Sequence, residues 1–191
     1  ADHGLSDTTL STIAKAAGLS QGTLVFYFKS KEALLTEAFR SQMEQYRAFW
    51  TAAVSSAGPN PIDRTIALTF AAIDPKVMTP QNLVLWNSLW NKTSSNPGLI
   101  ELSRQYETGR LGVQLSLLKE TLKSASDRSW TPKTAAHTLE TMTEGIWVRV
   151  HYSPDYITIR DARKALGTVL SLIFPSRAEE IMRRAADCSK R

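Results

Sequence analysis

The sequence is poor in the residues that build cross-links. A single cysteine, Cys188, excludes an internal disulfide and suits a reducing cytoplasm. Three histidines, His3, His137 and His151, lie scattered, and no His/Cys/carboxylate cluster has metal-ligand spacing. No apolar run approaches the roughly 18 residues that a membrane span needs, so no membrane partner is expected. The first residues, ADHGLSD, show neither a basic n-region nor an apolar h-region. They also lack an initial methionine, so further residues are expected upstream. Alternating apolar and polar residues never persist for more than a few positions, which argues against a sheet. No nucleophile–base arrangement is visible, and neither an enzyme nor a bound cofactor is expected.

What remains is ordinary in amount. Of 191 residues, 42% are hydrophobic and 21% charged, enough for a sizeable core. The net charge of +5 favours an anionic partner only mildly. Residues 1–47 hold Lys15, Lys29, Lys31, Arg40 and Arg47 against Asp2, Asp7, Glu32, Glu37 and Glu44, and are neutral overall. Any contact with DNA therefore rests on placement.

The periodicity predicts an all-α fold. Thr9 is a good N-cap for a helix carrying Ile13, Ala14 and Ala17, and Gly18 stands where a helix ends in a left-handed residue. Ser20 caps a second helix, Gln21 to Tyr27, and Ser30 a third that runs past Trp50 to the breaker SSAGPNP. Two short helices across a glycine turn form a helix-turn-helix pattern. Further helices are expected from Pro61, from Pro80 with apolar residues nearly all round, from Gly98 or Leu99 to Lys123, over 132–152 and over 158–174. A last amphipathic helix is expected behind a Ser176 cap.

The string T-x-x-x-I-A-x-x-A-G-L-S-x-G-T-L-x-x-Y-F-x-x-K-x-x-L over residues 9–34 resembles the DNA-binding domain of TetR-type regulators. The resemblance implies a helix before Thr9, with residues 1–4 its frayed end and Gly4 its stop. It also implies a helix-turn-helix domain over 1–47 and an effector-binding, dimerising helical domain over 48–191. Trp86, Trp90, Asn96-Pro97, Gly145, Trp147 and Arg149 are similar to the choline-responsive, BetI-like branch. The function expected is a homodimeric repressor released from a palindromic double-stranded DNA operator by a small-molecule effector. The rival class is a helical-bundle enzyme or small-molecule carrier, in which the helix-turn-helix string has no use.

The second helix of such a motif enters the major groove. Gln21 can read adenine bidentately and Thr23 can offer a hydroxyl or methyl, while Gly22 lets the backbone approach. Thr9, Ser20 and Lys31 stand at helix starts that favour phosphate. Tyr27 is the natural phosphate clamp through its hydroxyl, with Phe26 beside it; packing on the following helix is the alternative for both rings, and weighs more for Phe26 than for Tyr27. Helices 132–152 and 158–174 are expected to pair two copies, with Ala135, Ala136, Ala162, Ala165 and Gly167 allowing close approach.

Trp86 and Trp90 share a helix face, and Trp147 shares one with Glu144. Tryptophan faces plus a carboxylate suit a quaternary ammonium or another small organic molecule, although tryptophan at helical spacing also serves as plain core. Tyr106 and Glu107 are candidates for the same cavity, which Gly109 and Gly112 would either widen or close by tight packing. Glu140 and Glu144, four apart, call for a nearby cation: Arg149, Arg160, Arg163 or a ligand.

Overall fold

A computed structural model describes residues 9–93, 96–122 and 130–186. Among them the regular structure is entirely helical: α1 (Leu10–Ala16), α2 (Gln21–Phe28), α3 (Lys31–Ser56), α4 (Pro61–Ala71), α5 (Pro80–Thr93), α6 (Pro97–Leu122), α7 (Pro132–Tyr152), α8 (Ile159–Ile173) and α9 (Ala178–Ala186). Residues 1–4, Cys188 and most of the 124–131 loop lie outside the described residues.

Local chemistry sets the first three helices. The Thr9 hydroxyl accepts from Thr12 N–H at 3.1 Å while the Thr12 hydroxyl accepts from Thr9 N–H at 2.9 Å, a reciprocal cap. Gly18, at φ +69°, ends α1; its N–H donates to Lys15 and that of Leu19 reaches back to Ala14 at 2.8 Å. Ser20 and Ser30 cap α2 and α3 through Thr23 N–H at 3.0 Å and Ala33 N–H at 3.1 Å. Prolines open α4, α5, α6 and α7, at the one helical position where a missing N–H is harmless. Asn96 is a cap as well as a turn residue, since its side-chain oxygen accepts from Gly98 N–H and Leu99 N–H. Ser176 is no cap: Pro175–Arg177 form a 3-10 turn without a side-chain cap bond, and α9 begins after it.

The larger core joins α4, α6, α7, α8 and α9 around Ile66, Leu118, Leu139, Leu166, Leu170 and Ile181. Burying each such side chain contributes about 1.5–3 kcal/mol. Gly167 is the closest approach: a Cβ there would stand 2.7 Å from the Cβ of Ala185 on α9. Ala135, Ala136 and Ala162 are buried with it in the same core. Four of the five small residues expected at an interface between copies thus serve packing within one chain. An ionic clasp of Asp63, Arg177, Glu180 and Arg184 ties α9 to the start of α4, with Arg177 2.8 Å and Arg184 3.1 Å from Asp63.

A smaller cluster joins Leu35, Phe39 and Met43 of α3 to Leu99 and Leu102 of α6. Helix α3 is continuous across residues 47 and 48. Helix α5 is less enclosed than its composition suggests, because it packs on α6 and α7 and leaves Val84 exposed.

Candidate functional site

The helix-turn-helix end presents its sequence-predicted residues outward. Thr9, Ser20, Gln21, Gly22 and Thr23 are exposed. Phe26 is 79% and Tyr27 71% exposed, their rings edge-to-face at 5.4 Å, so neither packs on α3. Within α2 only Leu24 is buried, and Phe28 is half-buried. A Cβ on Gly22 would meet only Ser20 Oγ, at 3.7 Å, so the chain itself does not require glycine there. Neither α1 nor α2 has an acidic residue in its first turn. The positive ends of both helices therefore keep their attraction for an anion. Lys31 is half-buried at the start of α3, beside Glu32. Lys29 links α2 to α3 at φ +54°, a positive value that is uncommon for a non-glycine residue.

The second site is a cavity of about 80 Å³ between α3, α5, α6 and α7. Met43, Tyr46 and Trp50 line it from α3, and Trp86 from α5. From α6 come Ser103, Tyr106, Glu107 and Arg110, and from α7 Glu140, Thr143, Glu144 and Trp147. Three rings meet edge-to-face: Tyr46–Trp86 at 5.9 Å, Trp86–Trp147 at 5.8 Å and Tyr46–Trp147 at 6.4 Å. Trp147 is 5% exposed, and its indole N–H donates to the Ala72 carbonyl at 2.8 Å, tying α7 to the end of α4. It is therefore both core and pocket wall. Of the other sequence-predicted ligand residues, Trp86, Tyr106 and Glu144 line the cavity. Trp90 lies on α5, but its side chain is outside the described residues.

The cation that Glu140 and Glu144 require is Arg110, which none of the candidates Arg149, Arg160 and Arg163 anticipated. Arg110 is buried on α6 and pairs with Glu140 across to α7. Arg163 instead stacks 4.6 Å over Phe70 and donates to the Arg184 carbonyl at 2.9 Å, while Arg149 lies 5.7 Å over Tyr156. Gly109 and Gly112 neither pack closely nor line the cavity: both are exposed, with nothing within 4 Å of a Cβ.

Three carboxylates face one guanidinium here. Burial opposes the charge of Arg110, but Tyr46, Glu140 and Glu144 outweigh it and hold its pKa above the usual arginine value. Glu107 and Glu144 are exposed along much of their length, and only their carboxyls are turned part-way into the cavity. That partial burial, followed by the charges of Glu140 and Glu107, lifts the Glu144 carboxyl modestly, with Arg110 opposing. Partial burial and then Glu140 lift Glu107 likewise. An acid whose pKa is raised on folding binds its proton more tightly in the native state. That contribution to stability is present at low pH and is lost as pH rises from the ordinary to the raised pKa. Glu144→Gln should therefore raise the melting temperature at neutral pH and flatten its fall with pH. A lower neutral-pH melting temperature in the variant would reverse the assigned direction.

Residues 1–38 match the bacterial regulatory proteins, tetR family, and residues 61–175 the C-terminal domain of the BetI-type transcriptional repressors. The chain belongs to the TetR family. It is a DNA-binding transcriptional regulator of the repressor class and not an enzyme. The HTH-type transcriptional regulator BetI of Burkholderia mallei is 29% identical over 177 residues, covering 92% of this chain and 88% of that protein. BetI of Stenotrophomonas maltophilia is 27% identical over 146 residues, 76% of this chain and 72% of its own. In fold, a putative transcriptional regulator from Pseudomonas aeruginosa PAO1 superposes with a TM-score of 0.77 at 18% identity, covering 96% of this chain and 86% of that one. In this TetR-family chain, sequence reasoning missed Arg110, Tyr46 and Trp50 as pocket residues. Only the pairing of α3 and α6 with α7 brings them together.

Proposed function

We propose that this regulator is a homodimeric repressor that leaves a palindromic operator when an organic cation, a quaternary ammonium first among them, fills the cavity of α3, α5, α6 and α7. The observation that carries the effector class is the charge balance. Glu107, Glu140 and Glu144 outnumber Arg110 on a wall whose other residues are Tyr46, Trp50, Trp86, Tyr106 and Trp147 with Met43, Ser103 and Thr143. Ring faces attract a cation, and do so more strongly where water is displaced. Roughly 10–15 Å³ suffices for one water by the same measure, so the cavity has room for a small organic ion. A bound cation favours ionised Glu107 and Glu144, so binding tightens as pH rises through their raised pKa values.

The division into a DNA-binding part, 1–47, and an effector part, 48–191, places α3 in both. Leu35, Phe39 and Met43 pack on Leu99 and Leu102, and Met43, Tyr46 and Trp50 line the cavity. An effector moves such an equilibrium only by its differential affinity for the two states. The dimer reading is supported by exposed apolar residues on the 132–152 and 158–174 helices, with Tyr152 66% and Leu172 60% exposed. It is supported too by the short reading helix, which reaches few base pairs unless a second copy reads a half-site about 34–36 Å away. A cytoplasmic location follows from this role.

The test is operator binding, with DNA from the protein's own upstream region, titrated against salt with and without choline. Palindrome-specific binding that weakens steeply with salt and is released by choline is the expected result. Binding indifferent to organic cations removes the effector class and leaves the repressor. Within the same assay, Gln21→Ala should cost about 1–3 kcal/mol against one base position only. Tyr27→Phe should weaken all sequences alike. Equal losses across all sequences for Gln21→Ala would strip it of a base-reading role.

A further inference from the structure

We propose that Phe26 reads a thymine in each half-site by its 5-methyl group, an apolar contact beside the polar base reading of Gln21. This inference rests on the operator reading of α2 and adds to it one base and the group on that base that is recognised. Helix α2 buries one side chain, Leu24. Gly22 and Phe26 stand two residues to either side of it, about 200° around the helix, on the face turned away from the core.

Phe26 is 79% exposed, and among the described residues it belongs to none of the apolar clusters. Tyr27 meets it edge-to-face with the ring planes 86° apart, which props the phenyl ring and leaves its outer side open. A helical side chain leans toward the N-terminus, so the ring lies over the turn that carries Gly22. With no Cβ at Gly22, that turn offers nothing to cover the ring. Val25 flanks it, 40% exposed, and widens the apolar ridge. A phenyl ring left in water forgoes the stability that its burial would bring. In the major groove its possible partners are few. Base edges there carry hydrogen-bond donors and acceptors, which the ring cannot answer, and one apolar group, the thymine 5-methyl. Phe26 stands five residues after Gln21, about 7.5 Å along the axis, a distance of roughly two base pairs. With α2 lying along the groove, the ring reaches a base about two pairs from the one that Gln21 meets.

Thymine and uracil differ by that methyl alone. In the duplex from the protein's own upstream region, each thymine of one half-site is replaced in turn by deoxyuridine, and dissociation constants are measured with the whole protein. Replacement at one position should weaken binding about fourfold, the worth of one methyl group taken out of water. In Phe26→Ala the ratio of the two dissociation constants at that position should fall to about one. The melting temperature of this variant should stay at the wild-type value, because the ring lies outside the core. A half-site with no position sensitive to the methyl overturns the proposal. So does a ratio that survives in Phe26→Ala, which would assign the methyl to another residue. If no upstream duplex is bound in preference to unrelated DNA, the operator reading fails and this proposal with it. If the operator is bound but its thymine methyls are indifferent to Phe26, the proposal alone fails.

Discussion

Replacing Arg110 by alanine should lower the melting temperature by roughly 6–12 °C. The guanidinium is 6% and its partner Glu140 21% exposed, so the pair lies largely out of water. Removing one member of a buried pair costs about 3–5 kcal/mol because the other charge is left without compensation. The partial exposure of Glu140 puts this case near the lower bound. Each kcal/mol moves the transition by about 2–4 °C in a chain of this size. Here the loss is sharpened by Glu107 and Glu144, which share the cavity with Glu140 and with no other lining cation. The double variant Arg110→Met with Glu140→Leu should recover most of the stability, since it removes both buried charges and restores apolar volume. A single variant as stable as wild type, or a double variant no better than the single, would refute this account of the pair.

Trp147→Ala should cost about 3–5 kcal/mol and abolish the effector response. The ring is 5% exposed and makes edge-to-face contacts with Tyr46 and Trp86, each worth about 0.5–1.5 kcal/mol beyond its area. Its loss also leaves the Ala72 carbonyl without the indole donor. Trp147 is core and cavity wall at once, so alanine alters both. Trp147→Phe separates them: it keeps an aromatic wall, loses the indole N–H, and should retain cation response at a smaller stability loss. Thermal melts together with cation titrations decide the point. A Trp147→Phe protein as destabilised as Trp147→Ala would make the hydrogen bond, not the ring, the main contribution.

Legibility in the sequence follows the range of the physics. The caps Thr9, Ser20 and Ser30 and the left-handed Gly18 act within five residues, and the helix-turn-helix could be read from them residue by residue. Pro61, Pro80 and Pro132 marked helix starts for the same reason. Pairings between helices were not legible. The i, i+4 spacing of Glu140 and Glu144 showed that a positive charge was needed, but Arg110 is 30 positions away on another helix. Small residues announced close approach without saying to what, and Gly167 meets Ala185 of its own chain. Helix α6 showed Tyr106 and Glu107 but hid the deeper part of its inner face, because Arg110 and Gln114 occupy positions where a core stripe would carry apolar residues. Tyr27 was legible as a surface residue, Phe26 less so, and a helix as short as α2 fully buries only Leu24.

The unbroken run of α3 has a mechanical consequence. Tyr46, at the cavity, lies about 22 Å along the helix axis from Lys31, where the helix meets the helix-turn-helix. Such a rod acts as a lever. With its pivot at the cavity, a tilt of only about 5° carries the far end through roughly 2 Å. Hydrogen bonds to base edges fail within less than 1 Å of added distance. A shift of that size at the helix-turn-helix end exceeds what a hydrogen bond tolerates, while Leu35 and Phe39, nearer the pivot, move less against Leu99 and Leu102.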